Sequence, residues 1–157
     1  MAKITTVLFD FDGVITNTEP QYDSFFDEIG KRYDLGHESF AAKVKGSTMT
    51  TIVNNFLNHL PKKDVESIIK ETEEFEKKMD FPPINGALEF IKHLKENGYK
   101  VGLVTSSQDF KMKIALTALS LTGTFDTEVT ADRITEGKPN PMCYLLAAKD
   151  LNATTDE

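Results

Sequence analysis

Short apolar, β-rich runs alternate with helical patterns in this chain, and that alternation restricts the fold more than any other feature. Runs of this kind span residues 4–9, 100–104 and, more weakly, 127–130. Helical patterns span residues 87–94, about 108–119, and 142–149. The run at residues 4–9 is almost wholly apolar, which is typical of a strand covered on both faces of a parallel sheet. The sequence therefore predicts an α/β fold with a Rossmann-like parallel sheet as its core.

The helix predicted between the second and third strands has apolar residues over much of its length. We expect its apolar side to consist of Phe110, Ile114, Leu116, Ala118 and Leu119. This side would pack on the sheet.

The segment 19–80 differs from the rest because it shows helical periodicity, many charges and no convincing strand. Phe81 is followed by two prolines, which break a helix and stiffen a linker. We therefore predict a sheet core formed by residues 1–18 and 81–157, into which a helical domain of residues 19–80 is inserted.

The net charge of −7 and the lack of a basic stretch argue against nucleic acid as a partner. No apolar run approaches the roughly 20 residues that span a membrane, so no membrane association is expected. Cys143 is the single cysteine and falls in a predicted helix, which excludes a disulfide within the chain and indicates a reducing compartment. Cytoplasmic localisation is the resulting expectation.

Asp10 and Asp12 follow the first strand directly and are the first candidates for chemistry. Two carboxylates so close together repel each other, and a divalent cation or a phosphoryl group would relieve that repulsion. The structural alternative is that an aspartate caps the next helix while Asp12 and Gly13 form a turn.

Ligands of open α/β sheets bind beyond the carboxyl ends of the strands. Thr105, Ser106 and Ser107 follow the second strand and offer hydroxyl and backbone N–H groups to an anion, although either serine could simply cap the following helix. Lys138 precedes a proline-initiated helix and is a plausible counter-charge for phosphate and for Asp10.

These motifs together resemble the haloacid dehalogenase superfamily, within it the β-phosphoglucomutase-like phosphatases and mutases that carry a small helical cap. The resemblance rests on residues 10–14 (DFDGV), 101–105 (VGLVT) and 137–141 (GKPNP), which occur in the order of the three family motifs. It covers the whole chain and identifies residues 19–80 as the cap.

The resemblance implies a phosphoric monoester hydrolase. Asp10 would be the nucleophile that forms an aspartyl-phosphate, and Asp12 would be the general acid and base. Both residues would bind Mg²⁺, Asp12 through its backbone carbonyl. Thr105, the Ser106 amide and Lys138 would hold the transferring phosphoryl group.

The resemblance also implies substrate contacts nearer the cap. These are expected from Gly13, from the hinge residues Thr18 and Glu19, and from Lys45 and Ser47 in a substrate-specificity loop. A capping role could explain Thr18 and Glu19, and solvation could explain Lys45.

The small phosphorylated substrate is expected to be a sugar phosphate. In the mutase branch a histidine of the first cap helix assists transfer, and the matching position here is Tyr22. This difference favours a phosphatase over a phosphomutase.

Family members continue with a further strand whose acidic residues include a magnesium ligand. Asp156 and Glu157 follow no strand, so we do not take them as replacements. The chain resembles a fragment of a longer protein, and we expect it to be weakly active or inactive. A third interpretation is a non-catalytic fragment that binds phosphate or self-associates through an exposed apolar edge at the first strand.

Overall fold

The computed structural model describes residues 3–36 and 38–154, and the chain divides into two compact units. The first, which we call the sheet unit, comprises Met1–Asn17 and Phe81–Glu157. The second, which we call the helical unit, is Thr18–Asp80 and contains the predicted inserted segment. Asp156 and Glu157 lie outside the described residues.

The sheet unit is built on three parallel strands: β1 (Thr6–Phe9), β2 (Lys100–Val104) and β3 (Thr127–Val129). Their order is β1-β2-β3, with Val7 opposite Val101 and Leu103 opposite Glu128. The predicted α/β fold with a parallel sheet is therefore confirmed. The carboxyl ends of all three strands lie on the same side of the sheet.

β1 is less covered than its sequence predicted. Thr6, Val7 and Leu8 are half-buried, and Phe9 is the buried residue of the strand. β1 is less buried than β2 because it is an outer strand of the described sheet, whereas β2 is the central one. The expectation of two covered faces was therefore wrong for β1.

Helices cover both faces of this sheet. They are α5 (Ala87–Glu96), α6 (Asp109–Ala118) and α7 (Met142–Asp150). Val101 and Leu103 point to one face and pack with residues of α5 and α6, while Val104 points to the other and packs with α7. Successive β-strand side chains alternate between faces, which accounts for this division.

The buried side of α6 differs from the predicted one. Ile114 and Ala118 are exposed, and the buried residues of the helix are Lys111, Met112, Ala115 and Leu116. Apolar residues occur nearly all round this helix, so their spacing alone could not identify the face that meets the sheet.

The helical unit contains α1 (Glu19–Arg32), α2 (Phe40–Val44), α3 (Met49–Ile52) with a π-helical turn (Val53–Leu57), and α4 (Lys62–Lys78). Phe25 stacks on Phe75 with ring centroids 4.4 Å apart, and Phe26 meets Phe40 edge to face. The aromatic residues thus form this unit's own core. Among the described residues, no helix is long and apolar enough to cross a membrane.

Gly30 is a point of close approach between α1 and α2. A Cβ placed on Gly30 would lie 2.5 Å from the Cβ of Phe40, which is almost fully buried. We expect Gly30→Ala to lower the free energy of unfolding by about 1–3 kcal/mol, since overpacking outweighs the gain in helix propensity of about 1 kcal/mol. Urea unfolding followed by circular dichroism would measure this. Lys31→Ala on the exposed side of α1 is the control, and a Gly30→Ala protein as stable as the parent would contradict the expectation.

Candidate active site

Asp10 and Asp12 lie in a loop that is fixed by buried neighbours. Phe11 and Ile15 are fully buried, and the Phe11 carbonyl accepts hydrogen bonds from the backbone N–H groups of residues 14–16. Gly13 adopts the left-handed conformation (φ 75°) and donates its N–H to the Thr16 carbonyl at 2.8 Å. The loop therefore presents both carboxylates from a constrained backbone, and the Gly13 N–H is used within the loop.

The structural alternative for the two aspartates was a turn together with a helix cap, and only the turn is present. Residues 13–15 do form a turn. The next helix, however, begins at Glu19 with Thr18 as its N-cap, so neither Asp10 nor Asp12 caps it.

Lys138 forms an ion pair with Asp10. Its Nζ lies 2.8 Å from Asp10 Oδ2, and it also donates to the Val104 carbonyl at 3.3 Å. The ring centroid of Tyr144 lies 5.2 Å from Nζ, a cation–π contact made within α7 and the turn before it. Burial works to lower the pKa of Lys138, but the hydrogen bond and charge of Asp10 outweigh it and raise that pKa above its ordinary value.

This lysine comes from the turn that starts α7. The Asn140 N–H donates to the Gly137 carbonyl, and Asn140 Oδ1 accepts from the Met142 N–H. Pro141 is the N-cap of the helix, in agreement with the predicted proline-initiated start. The proline-rich turn thus places the Lys138 ammonium at the end of β2, next to Asp10.

Asp12 has its own cation, which the sequence did not reveal. Lys111 Nζ lies 2.8 Å from Asp12 Oδ1 and 2.7 Å from Oδ2. The Lys111 side chain is fully buried, whereas that of Asp12 is 27% exposed. Ser107 completes the group, because its hydroxyl donates to Asp12 Oδ2 at 3.1 Å and accepts from Lys111 Nζ at 2.9 Å.

Lys111 was not predicted as a site residue because a lysine in an amphipathic helix normally marks the solvent side. A signal was nevertheless present. Lys111 precedes Ala115 by four residues and stands beside Met112, so a helix with these two residues facing the sheet must bury position 111 as well.

The turn after β2 contains the other predicted anion-binding groups. Thr105 is buried, its N–H donates to the Val129 carbonyl at 2.9 Å, and its Oγ1 accepts from the Ser107 N–H at 3.1 Å. Ser106 lies between them and is half-buried. The suggestion that Ser106 or Ser107 caps α6 was wrong, since the N-cap of that helix is Gln108.

The sheet unit thus brings together two carboxylates and two ammonium groups as separate ion pairs. Asp10 remains 37% exposed, so a ligand can reach it. Magnesium prefers hard oxygen ligands, keeps several waters, and is commonly bound by one or two carboxylates plus substrate phosphate. The partly exposed Asp10 carboxylate fits that donor set, and the backbone carbonyl of Asp12 would be a second oxygen donor beside it. Within residues 3–36 and 38–154, no group of three or more His, Cys, Asp or Glu side chains could hold a metal ion.

The remaining predicted site residues belong to the helical unit. The Thr18 side chain is buried and makes no capping hydrogen bond to α1. Lys45 Nζ pairs with Glu19 at 2.9 Å, and the Glu19 carboxylate raises the pKa of Lys45. The Ser47 N–H donates to the Val44 carbonyl at the end of α2, and Ser47 is half-buried. Lys45 is therefore paired rather than simply solvated.

Comparison with known proteins supplies the family. Residues 7–157 match the profile of the haloacid dehalogenase-like hydrolases. The chain belongs to this family. The match confirms both the resemblance and the prediction of a hydrolase of this type, and similar proteins are named phosphatases.

Three similar proteins illustrate the relationship. The phosphorylated carbohydrates phosphatase of Thermotoga maritima is 30% identical over 159 residues, which cover 96% of this chain and 72% of the relative. Hexitol phosphatase A of Escherichia coli is 27% identical, with 96% of this chain and 70% of the relative covered. The structure of a candidate β-phosphoglucomutase from Bacteroides vulgatus superposes with a TM-score of 0.81 at 28% identity, covering 99% of this chain and 66% of that one.

Proposed function

We propose that this protein hydrolyses phosphate monoesters of small metabolites, phosphorylated carbohydrates above all, with Mg²⁺ as cofactor. The observation that carries the proposal is the pair of aspartates after β1, each matched with a lysine at one edge of a parallel sheet. Family membership and the phosphatases among its relatives support it.

The first step is attack on phosphorus. One oxygen of the Asp10 carboxylate forms a bond to phosphorus while the bond to the ester oxygen breaks, which leaves an aspartyl-phosphate. Asp12, once protonated, gives its proton to the departing alcohol oxygen. Lys138 compensates the negative charge on the phosphoryl oxygens, and the Thr105 hydroxyl and Ser106 N–H would bind them.

The second step returns the enzyme to its starting state. Asp12, now a carboxylate, accepts a proton from water as the water oxygen attacks phosphorus. The bond between phosphorus and Asp10 breaks, inorganic phosphate leaves, and Asp12 is protonated again. Asp10 and Asp12 would hold Mg²⁺, which supplies charge neutralisation between the anionic ester and the Asp10 carboxylate.

Substrate selection would come from the helical unit. Glu19, Lys45 and Ser47 are the candidates there, together with Thr18 at the start of α1, while Gly13 belongs to the catalytic loop. The ion pair between Lys45 and Glu19 supports a shared role in binding a polar substrate.

A phosphomutase is the second candidate, and the similarity to a candidate β-phosphoglucomutase favours it. Against it stands Tyr22, whose hydroxyl donates to Glu76 at 2.6 Å within the helical unit. A phenol bonded in this way is a poor substitute for a histidine that must exchange protons near neutral pH. Hydrolysis therefore remains the preferred function.

The test is phosphate release from p-nitrophenyl phosphate and from a panel of sugar phosphates, with Mg²⁺ or with EDTA. We expect release that falls about 100-fold or more in EDTA, since the metal contributes several kcal/mol to charge stabilisation. Turnover that needs a sugar bisphosphate and leaves phosphoenzyme behind would instead reveal a mutase.

The absolute rate bears on the third candidate. If the chain binds inorganic phosphate but releases none from any ester, the non-catalytic interpretation holds for it. Self-association through the β1 edge is a separate proposal, and light scattering over a range of protein concentrations would test it.

A further inference from the structure

We propose that Lys111, together with Ser107, is a positioning residue for Asp12. The proposal rests on the proposed function, because positioning matters only if Asp12 transfers protons during ester hydrolysis. It assigns a role to a buried cation outside the motifs at residues 10–14, 101–105 and 137–141.

Burial makes Lys111 unusual. Its side chain is fully buried, and transferring an ammonium group from water costs several kcal/mol unless it is paired. Replacing such a pair with apolar groups is often neutral or stabilising, so stability alone gives little reason for a lysine here. A role in positioning Asp12 would explain why a lysine is present at this buried position.

The contacts are those of a clamp. Nζ donates to both oxygens of Asp12 and to the Ser107 hydroxyl, and the hydroxyl in turn donates to Asp12 Oδ2. The ammonium also lies 5.6 Å from the centroid of the Phe11 ring. Lys111 is anchored by α6, whose Met112 and Ala115 are buried against the sheet. Asp12 is thereby fixed to a packed helix as well as to its own loop.

This clamp leaves Asp12 available for chemistry. The carboxylate is 27% exposed although its partner lysine is fully buried. Lys111 therefore contacts Asp12 from the protein interior, and the exposed side of the carboxylate can face a substrate.

A displaced general acid should matter most for esters with basic leaving groups. A sugar alkoxide needs a proton as it departs, whereas p-nitrophenolate is a weak base and leaves without one. A misplacement of 1 Å can cost about 100-fold in rate, and general acid catalysis contributes about 10²- to 10⁴-fold. The ratio of kcat/KM for the two esters thus reports the position of Asp12.

The decisive variant is Lys111→Met, with Lys113→Met on the exposed side of α6 as its control. We expect Lys111→Met to lower kcat/KM for a hexose 6-phosphate about 10- to 100-fold more than for p-nitrophenyl phosphate. Asp12→Asn should show the same preference, and adding Lys111→Met to it should change the ratio less than about threefold, because both changes remove one function. Equal losses for both esters would overturn the proposal.

A second measurement does not depend on activity. In protein labelled with ¹³C at the aspartate carboxyl carbons, the Asp12 resonance is the one absent from Asp12→Asn. We expect it to shift in Lys111→Met and to stay in place in Lys113→Met. If Lys111→Met fails to fold, Ser107→Ala is measured instead and should produce a smaller change in the same direction.

The two measurements separate the possible failures. If the parent hydrolyses neither ester, the proposed function has failed, and an Asp12 resonance that depends on Lys111 still supports the clamp. If the parent is active but the resonance and the ester ratio are both unchanged by Lys111→Met, the positioning role is wrong.

Discussion

Asp10→Asn should abolish phosphate release, with a loss of about 10⁴-fold or more, as found when a catalytic nucleophile is removed. The amide is isosteric with the carboxylate but cannot form the aspartyl-phosphate. Its oxygen can still accept from the Phe11 N–H, the hydrogen bond that Asp10 Oδ1 makes at 2.8 Å. The fold should therefore be retained. Phosphate release under excess substrate, with circular dichroism to verify folding, provides the measurement.

The control for Asp10→Asn is Asp64→Asn, the same chemical change in the first turn of α4. We expect this variant to keep the rate of the parent. If Asp10→Asn keeps more than about one hundredth of the parent rate, covalent catalysis by Asp10 is excluded, and direct attack by water would have to replace it.

Lys138→Met should lower kcat/KM about 10²- to 10³-fold, the usual loss when one donor to a developing charge is removed. Lys138 forms the ion pair with Asp10 and would also meet the phosphoryl oxygens, so its loss should affect p-nitrophenyl phosphate and sugar phosphates alike. This lack of preference between leaving groups distinguishes it from Lys111→Met.

The matched control for Lys138→Met is Lys149→Met on the exposed side of α7, which should behave as the parent. Steady-state kinetics of both variants with both esters are required. A Lys138→Met protein with unchanged kcat/KM would show that the ion pair organises the apo site without acting on phosphate.

Much of the sheet unit could be predicted because its signals are local. The runs that form β2 and β3 are rich in β-branched and apolar residues. Prolines mark the start of α7 and the point after Phe81 at which the chain re-enters the sheet unit. Asp10 and Thr105 follow β1 and β2 directly, so the parallel topology alone brings them to the carboxyl ends of the strands. For such residues, position along the chain largely determines position in space.

The remainder depended on contacts between distant segments. The buried side of α6 was wrongly predicted because Ile114 and Leu116 are both apolar, and only packing against Val101 and Leu103 distinguishes them. The same contacts decide that Lys111 points inward. The coverage of β1 likewise depends on which elements lie beside it, and no local pattern encodes that.

The origin of the two cations has a consequence for how the site is assembled. Lys111 belongs to α6 on one face of the sheet, and Lys138 lies in the turn before α7 on the other. Each carboxylate is therefore secured from a different layer of the protein. Detachment of α7 would remove the cation from Asp10 and leave that of Asp12 in place, while loosening of α6 would do the reverse. Partial unfolding would thus uncouple the nucleophile from the proton donor, and the intact three-layer arrangement keeps them acting in concert.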